Sequence, residues 1–134
     1  MVERPRRRAD SFGRRAEAIC ALALRIKGYR ILARRFRSPV GEIDIVARRG
    51  ATLAIVEVKA RSTVASALQA VTARQRLRLQ RAAMAFIAAR PSKFVPHSKA
   101  SVRFDLMLVA PWRWPRHITN AWLPDEVALR RSGW

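Results

Sequence analysis

Gly41-Glu42-Ile43-Asp44-Ile45-Val46-Ala47-Arg48, the loop Arg49-Gly50-Ala51-Thr52 and Leu53-Ala54-Ile55-Val56-Glu57-Val58-Lys59 decide the fold of this 134-residue chain. Both long segments are rich in β-branched residues, and the glycine between them marks a turn, so they read as adjacent antiparallel strands. Successive strand side chains point to opposite faces, which puts Glu42 and Asp44 on one face and Ile43 and Ile45 on the other. Glu57 and Lys59 likewise share a face, with Val58 behind them. A four-residue loop sets Asp44 opposite Glu57, whereas a two-residue loop pairs Glu42 with Glu57. Either register gathers two or three carboxylates beside one ammonium.

Carboxylates facing each other across strands repel unless something positive lies between them. A divalent cation meets that need. Magnesium or manganese suits hard oxygen ligands, and magnesium keeps several waters while binding through one or two carboxylates plus phosphate oxygens. The expected metal ligands are Asp44, Glu57 and the carbonyl of Val58. Lys59 would stand beside the ion, where its charge can orient a water and stabilise negative charge on phosphorus. The bland alternative is the solvated polar face of an antiparallel sheet, which alternates in the same way.

Outward from these strands, Tyr29 to Phe36 reads as a further strand, so the middle of the chain is an antiparallel meander. Ser11 can cap a helix running to about Lys27, with Ala16, Ile19, Cys20, Ala23, Leu24 and Ile26 as its apolar stripe and Gly28 as its stop. Thr72-Ala73-Arg74-Gln75 has capping-box spacing and opens a second helix that continues to about Ala89, before Pro91. Pro91 to Ala100 reads as a loop. Val102, Phe104, Leu106 and Leu108 alternate with Arg103, Asp105 and Met107 in a half-buried strand, and a last strand lies around His117 to Leu123. The order is helix, three strands, helix, two strands, which is α/β or α+β in class. Residues 1–10 are expected as a disordered basic arm, 11–126 as one domain and 127–134 as a tail.

The chain carries 28 Lys plus Arg against 9 Asp plus Glu, a formal net charge of +19. Such an excess points to a polyanionic partner, and nucleic acid comes first. Arg14, Arg61, Arg74, Arg76, Arg78 and Arg81 are the candidate phosphate contacts; a solvated helix face explains any one of them equally well. Between Ser11 and Phe104 the only acids are Glu17, Glu42, Asp44 and Glu57. Their isolation in so basic a chain singles them out. Glu17, early in the first helix, can reach the strand acids, or else pair with Arg14 or Arg15. Gln69 and Gln75 follow the acidic strand and can touch substrate or simply start helices.

Trp112, Trp114, Trp122 and Trp134 crowd the C-terminal quarter, as core, dimer contacts or stacking platforms for bases. His97 and His117 have no zinc or triad spacing and read as surface or structural residues. Cys20 is the only cysteine, which excludes a disulfide and fits a reducing cytoplasm. No apolar stretch approaches the roughly 20 residues needed to span a bilayer.

Glu42-x-Asp44 followed by Glu57-Val58-Lys59 resembles the PD-(D/E)XK nuclease superfamily. More closely, Gly13-Arg14-Arg15-Ala16-Glu17, Gly28-Tyr29-Arg30-Ile31-Leu32, Val40-Gly41-Glu42-Ile43-Asp44 and Val56-Glu57-Val58-Lys59-Ala60-Arg61 resemble the bacterial YraN family of uncharacterised proteins, itself similar to archaeal Holliday-junction resolvases. The resemblance implies a restriction-endonuclease-like α/β core, a mixed central sheet flanked by helices. It also implies catalytic or metal roles for Glu17, Asp44, Glu57 and Lys59, with DNA, including branched or junction DNA, as substrate. Ile43 stands where the superfamily motif has proline. The rival expectations are a non-catalytic DNA- or RNA-binding module that keeps the nuclease fold, and an RNA-associated basic protein without metal chemistry. Junction resolution would further require a homodimer.

Overall fold

The computed structural model describes residues 3–90 and 101–123, with side chains described over 13–90 and 102–123. In chain order the elements are α1 (Glu3–Ile26), β1 (Arg30–Ser38), β2 (Gly41–Arg49), β3 (Thr52–Lys59), α2 (Val64–Ala70), α3 (Ala73–Ala89), β4 (Ser101–Leu108) and β5 (Arg116–Trp122). One sheet holds all five strands in the order β1-β2-β3-β4-β5. The β1–β2, β2–β3 and β4–β5 pairs are antiparallel and β3–β4 is parallel. This is the expected mixed α/β sheet flanked by helices. Parallel neighbours need a crossover, and α2 and α3 lie in the one that joins β3 to β4.

α1 ends as its sequence dictates. Gly28 has φ +91°, its N–H donates to the Arg25 carbonyl at 3.0 Å, and the Tyr29 N–H donates to the Leu24 carbonyl at 3.0 Å. This is a Schellman closure, which glycine enters without steric cost, and Tyr29 then packs in the same cluster as Leu24. The stripe stops there, because Ile26 is exposed. At the other end the helix begins at Glu3, upstream of the Ser11 cap and inside the segment expected as a basic arm. Pro5 falls in the first turn, where its missing N–H has no intrahelical partner to lose.

Two apolar layers cover the sheet. Cys20, Ala21, Ala23 and Leu24 of α1 pack with Tyr29 on Ile45, Ala47, Ala54, Val56 and Met107. Leu79, Ala82, Ala83 and Phe86 of α3 pack on Ile43, Val46, Leu53, Ile55, Phe104, Leu106 and Leu108. Burying each large aliphatic or aromatic side chain contributes about 1.5–3 kcal/mol, so the central strands carry much of the stability. β4 is therefore buried on both faces, not one. Met107 and Asp105 are fully inaccessible, and Asp105 receives both Arg103 nitrogens (2.8 and 2.7 Å), the Asn120 N–H (3.0 Å) and His117 Nε2 (2.7 Å).

The β2–β3 hairpin takes the register of the four-residue-loop alternative, with Ile45 opposite Val56. Its ladder runs one pair further, to Arg49 opposite Thr52, leaving only Gly50 and Ala51 in the turn. α2 is an addition to the expected order: Thr63 caps it by accepting the Ser66 N–H. The predicted loop 91–100, His97, residues 124–126 of the predicted domain, the tail 127–134 and Trp134 lie outside the described residues. Among the described residues no helix is long and apolar enough to cross a membrane.

Candidate active site

β2 enters the site pressed against α3. A Cβ at Gly41 would lie 2.9 Å from the Arg78 carbonyl oxygen, closer than real Cβ contacts, so this approach requires glycine. Beyond it the strand departs from the expected alternation. Ile43 packs in the α3 layer and Ile45 in the α1 layer, although they are two residues apart, so regular alternation is interrupted at Asp44. The neighbouring strand is irregular at the same rung: between the pairs Arg34–Ile45 and Phe36–Ile43 sits Arg35, with φ +52°. The β2–β3 ladder also ends here, at Ile45 and Val56, and the Asp44 carboxylate replaces a backbone partner. Its Oδ2 accepts the Val58 N–H at 2.8 Å. Val58 and Asp44 also line one small cavity with Glu17.

Glu57 is buried beside this carboxylate. Its Oε1 lies 3.3 Å from Lys59 Nζ and accepts a hydrogen bond from Gln75 Nε2 at 3.0 Å. Burial, then the charge of Asp44, lifts the Glu57 pKa to about 8 against the opposing pull of Lys59. Burial raises Asp44 as well, with the Val58 hydrogen bond opposing and the charge of Glu17 adding. The protonation of either carboxyl group therefore depends on the charge of the other.

The expected third acid, Glu17, is buried on α1, and its Oε2 accepts from Arg35 Nε at 2.7 Å. It lines the same open cavity of about 350 Å³ as Arg35, Arg37, Glu42, Asp44, Glu57 and Gln75. Glu42 is exposed at its rim, 3.8 Å from Arg37. Behind Asp44 and Glu17, burial followed by those two carboxylates pushes the Cys20 thiol up to about 12, so it stays neutral and takes no nucleophilic part.

Among the described residues no three His, Cys, Asp or Glu side chains gather to hold a metal ion, and Glu17 is paired with Arg35. The donor chemistry nevertheless fits magnesium or manganese: two adjacent carboxylates with raised pKa values, beside the backbone of Val58, match an ion that takes its other ligands from water and phosphate. Asp44, Glu57 and Val58 are the residues that could hold it.

Sequence reasoning missed two members of this site or their roles. Arg35 looks like any other arginine in a run of them, and only its left-handed backbone and its bond to Glu17 distinguish it. Gln75 was a candidate for substrate or a helix start, and its backbone is that start: Thr72 Oγ1 accepts the Gln75 N–H at 3.2 Å. Its side chain, which a full capping box would turn back to Thr72, goes to Glu57 instead.

The candidate phosphate contacts divide. Arg14, Arg61, Arg74, Arg78 and Arg81 are exposed, Arg61 with Nη1 donating to the Ala60 carbonyl at 2.9 Å. Arg76 is half-buried, its guanidinium 5.5 Å from the centroid of the Trp122 ring, which removes it from the exposed face of α3. Gln69 is exposed on α2. Trp122 is a core residue stacked on Phe104 at 5.8 Å, whereas Trp112 and Trp114 are exposed. His117 is structural, held by Asp105 and Lys27.

Residues 16–109 match the sequence profile described as uncharacterised protein family UPF0102. The UPF0102 protein of Paramagnetospirillum magneticum is 50% identical over 121 residues, covering 87% of this chain and 91% of the relative. That of Maricaulis maris is 48% identical over 127 residues, covering 95% and 97%. That of a Caulobacter species is 53% identical over 110 residues, covering 82% and 76%. The profile match takes in Glu17, Asp44, Glu57, Lys59 and Gln75 and ends before Trp112.

Proposed function

The chain belongs to the uncharacterised protein family UPF0102, and on that premise we propose that it is a divalent-metal-dependent endonuclease of PD-(D/E)XK type, hydrolysing phosphodiester bonds in DNA, structured or branched DNA first. One observation carries the reading: two adjacent carboxyl groups, half-buried Asp44 and buried Glu57, both have raised pKa values, and Glu57 lies 3.3 Å from Lys59 Nζ. A fold keeps so unfavourable a cluster when a cation and an anionic substrate relieve it.

Asp44, Glu57 and the Val58 carbonyl would hold magnesium or manganese, which supplies Lewis acidity toward the scissile phosphate. Lys59, kept in place by Glu57, orients the attacking water and stabilises charge developing on the phosphate oxygens. Gln75 fixes the Glu57 carboxylate. Arg35, inside the cavity, offers a guanidinium to a phosphate oxygen, and Arg74, Arg78 and Arg81 extend the positive surface along α3. The cytoplasm is the compartment we infer, since a chain with one thiol has no use for an oxidising one.

The test is a panel of linear duplex, single-stranded, flap and four-way DNAs with magnesium or manganese. At least one should be cut, and Asp44→Asn or Lys59→Met should lower the rate by about 10³-fold or more while the fold persists. The pairing of Glu17 with Arg35 favours a second reading, a nucleic-acid-binding module without turnover. Binding of DNA or RNA without cleavage, unchanged in both variants, would decide for it.

A further inference from the structure

We infer that Trp112, with Trp114 beside it, is a base-stacking wedge that engages unpaired bases of a nucleic acid held at the acidic site; the inference rests on the nucleic-acid reading above. Three observations converge on the tip of the β4–β5 hairpin. The first is the turn. The Arg113 N–H donates to the Ala110 carbonyl at 3.4 Å, Pro111 follows Ala110, and Trp112 has φ +61°. That is the arrangement of a type II turn, whose third position takes glycine or asparagine because a side chain there is strained. A tryptophan placed there must be justified by something.

The fold does not supply that justification. Trp112 is 103% exposed relative to a free side chain and Trp114 is 54% exposed, so neither ring contributes its full packing. A large aromatic side chain in a strained backbone, with no core contact, is a feature kept for contact with another molecule.

The second observation is position. The Val109 N–H donates to the Lys59 carbonyl at 2.9 Å, and Leu108 pairs with Lys59. Trp112 follows three residues later, within roughly 11 Å of Val109 along the chain. The wedge therefore rises from the end of the sheet that carries Lys59.

The third is charge. From Ala110 to Arg116 there is no acid, and the exposed Arg113 and Arg116 alternate with the rings. Aromatic faces between guanidinium groups suit bases joined by phosphates, since stacking tolerates any base and the arginines meet the backbone.

The test is fluorescence anisotropy titration of the full chain in chelator, which prevents cleavage, against two labelled oligonucleotides of equal length and sequence, one with a five-nucleotide gap and one fully paired. Trp112→Gly should weaken gapped-DNA binding by about 10-fold and paired-DNA binding by less than about twofold, with Trp112→Phe nearly as tight as the parent. Because glycine accepts φ +61°, Trp112→Gly should melt no lower than the parent, which separates lost stacking from lost fold. Equal losses on both DNAs, or none, would overturn the wedge. So would loss of binding to anionic phosphatidylglycerol vesicles with DNA affinity unchanged. A parallel magnesium reaction reports the nuclease reading separately: the selective loss supports stacking even without cleavage, and cleavage with unchanged gapped-DNA affinity removes stacking alone.

Discussion

Gln75 Nε2 donates to Glu57 Oε1 at 3.0 Å, joining the first turn of α3 to the carboxylate at the end of β3. Its backbone N–H is meanwhile held by the Thr72 hydroxyl, so side chain and main chain of one residue serve the site and the helix separately. Gln75→Ala keeps the cap and removes only the hold on Glu57. Outer contacts of this kind are typically worth 10- to 100-fold in metal affinity or rate, so calorimetric magnesium affinity should fall by about 10-fold or more with melting temperature nearly constant. Unchanged affinity would show that Glu57 is positioned by Lys59 alone.

The raised pKa of Glu57 sets a pH dependence whose sign is fixed. Folded protein binds this proton up to about pH 8, whereas unfolded glutamate releases it near 4.3. The folded state therefore holds more protons in that window, and the metal-free protein loses this contribution to stability as pH rises from about 4.3 through 8. A cation displaces that proton. Magnesium should consequently raise the melting temperature more at pH 8.5 than at pH 5.5, and Glu57→Gln should flatten the difference. An equal magnesium effect at both values would argue against binding at this pair.

Arg35 and Glu17 form the part of the site that most restrains the third acid. Arg35→Gly relieves a left-handed backbone, worth about 1 kcal/mol, but strands a buried carboxylate at about 2 kcal/mol or more, so the single variant should be the less stable protein. Adding Glu17→Gln should restore part of the loss. Chemical denaturation of the two singles and the double would reveal the coupling; additive effects would mean that the pair is not an energetic unit.

How much of this was legible in the sequence differs by residue. The strands were, because Ile45 to Ala47 and Leu53 to Val56 are apolar runs in segments bounded by turn residues, and the Thr72 cap behaves as its spacing implies. The register that brings Asp44 to Glu57 was one of two alternatives, and only the close approach of β2 and β3 chooses between them. α2 was illegible since seven residues make two turns, too few for a periodicity. The interruption at Asp44 was hidden because alternation assumes a regular pleat, which Arg35 and Asp44 break together. Arg103 and Asp105 alternate with apolar residues as outward-facing residues would, yet they face the α1 layer, where their mutual hydrogen bonds make burial tolerable.

That buried pair supports a stability prediction independent of catalysis. Burial pushes the Asp105 pKa up, but hydrogen bonds from His117, Arg103 and the Asn120 N–H outweigh it and hold the carboxyl below the usual range. Lys27 Nζ, 3.1 Å from His117 Nδ1, assigns the ring proton to Nε2, where Asp105 accepts it, and Arg103 also reaches the Tyr29 hydroxyl. One carboxylate thus ties α1's exit to β4 and β5. A depressed pKa contributes stability that is present above the unfolded aspartate value, about 3.9, and lost as pH falls through the folded one. Asp105→Ala leaves Arg103 and His117 facing a buried gap and should cost about 3–5 kcal/mol, a fall of roughly 10 °C or more in melting temperature at pH 7. Asp105→Asn keeps the shape and should lose less, with a shallower decline in acid. Melting curves at pH 7 and pH 3.5 test both, and a wild-type decline no steeper than that of Asp105→Asn would mean that this carboxylate is not the source of the protein's acid sensitivity.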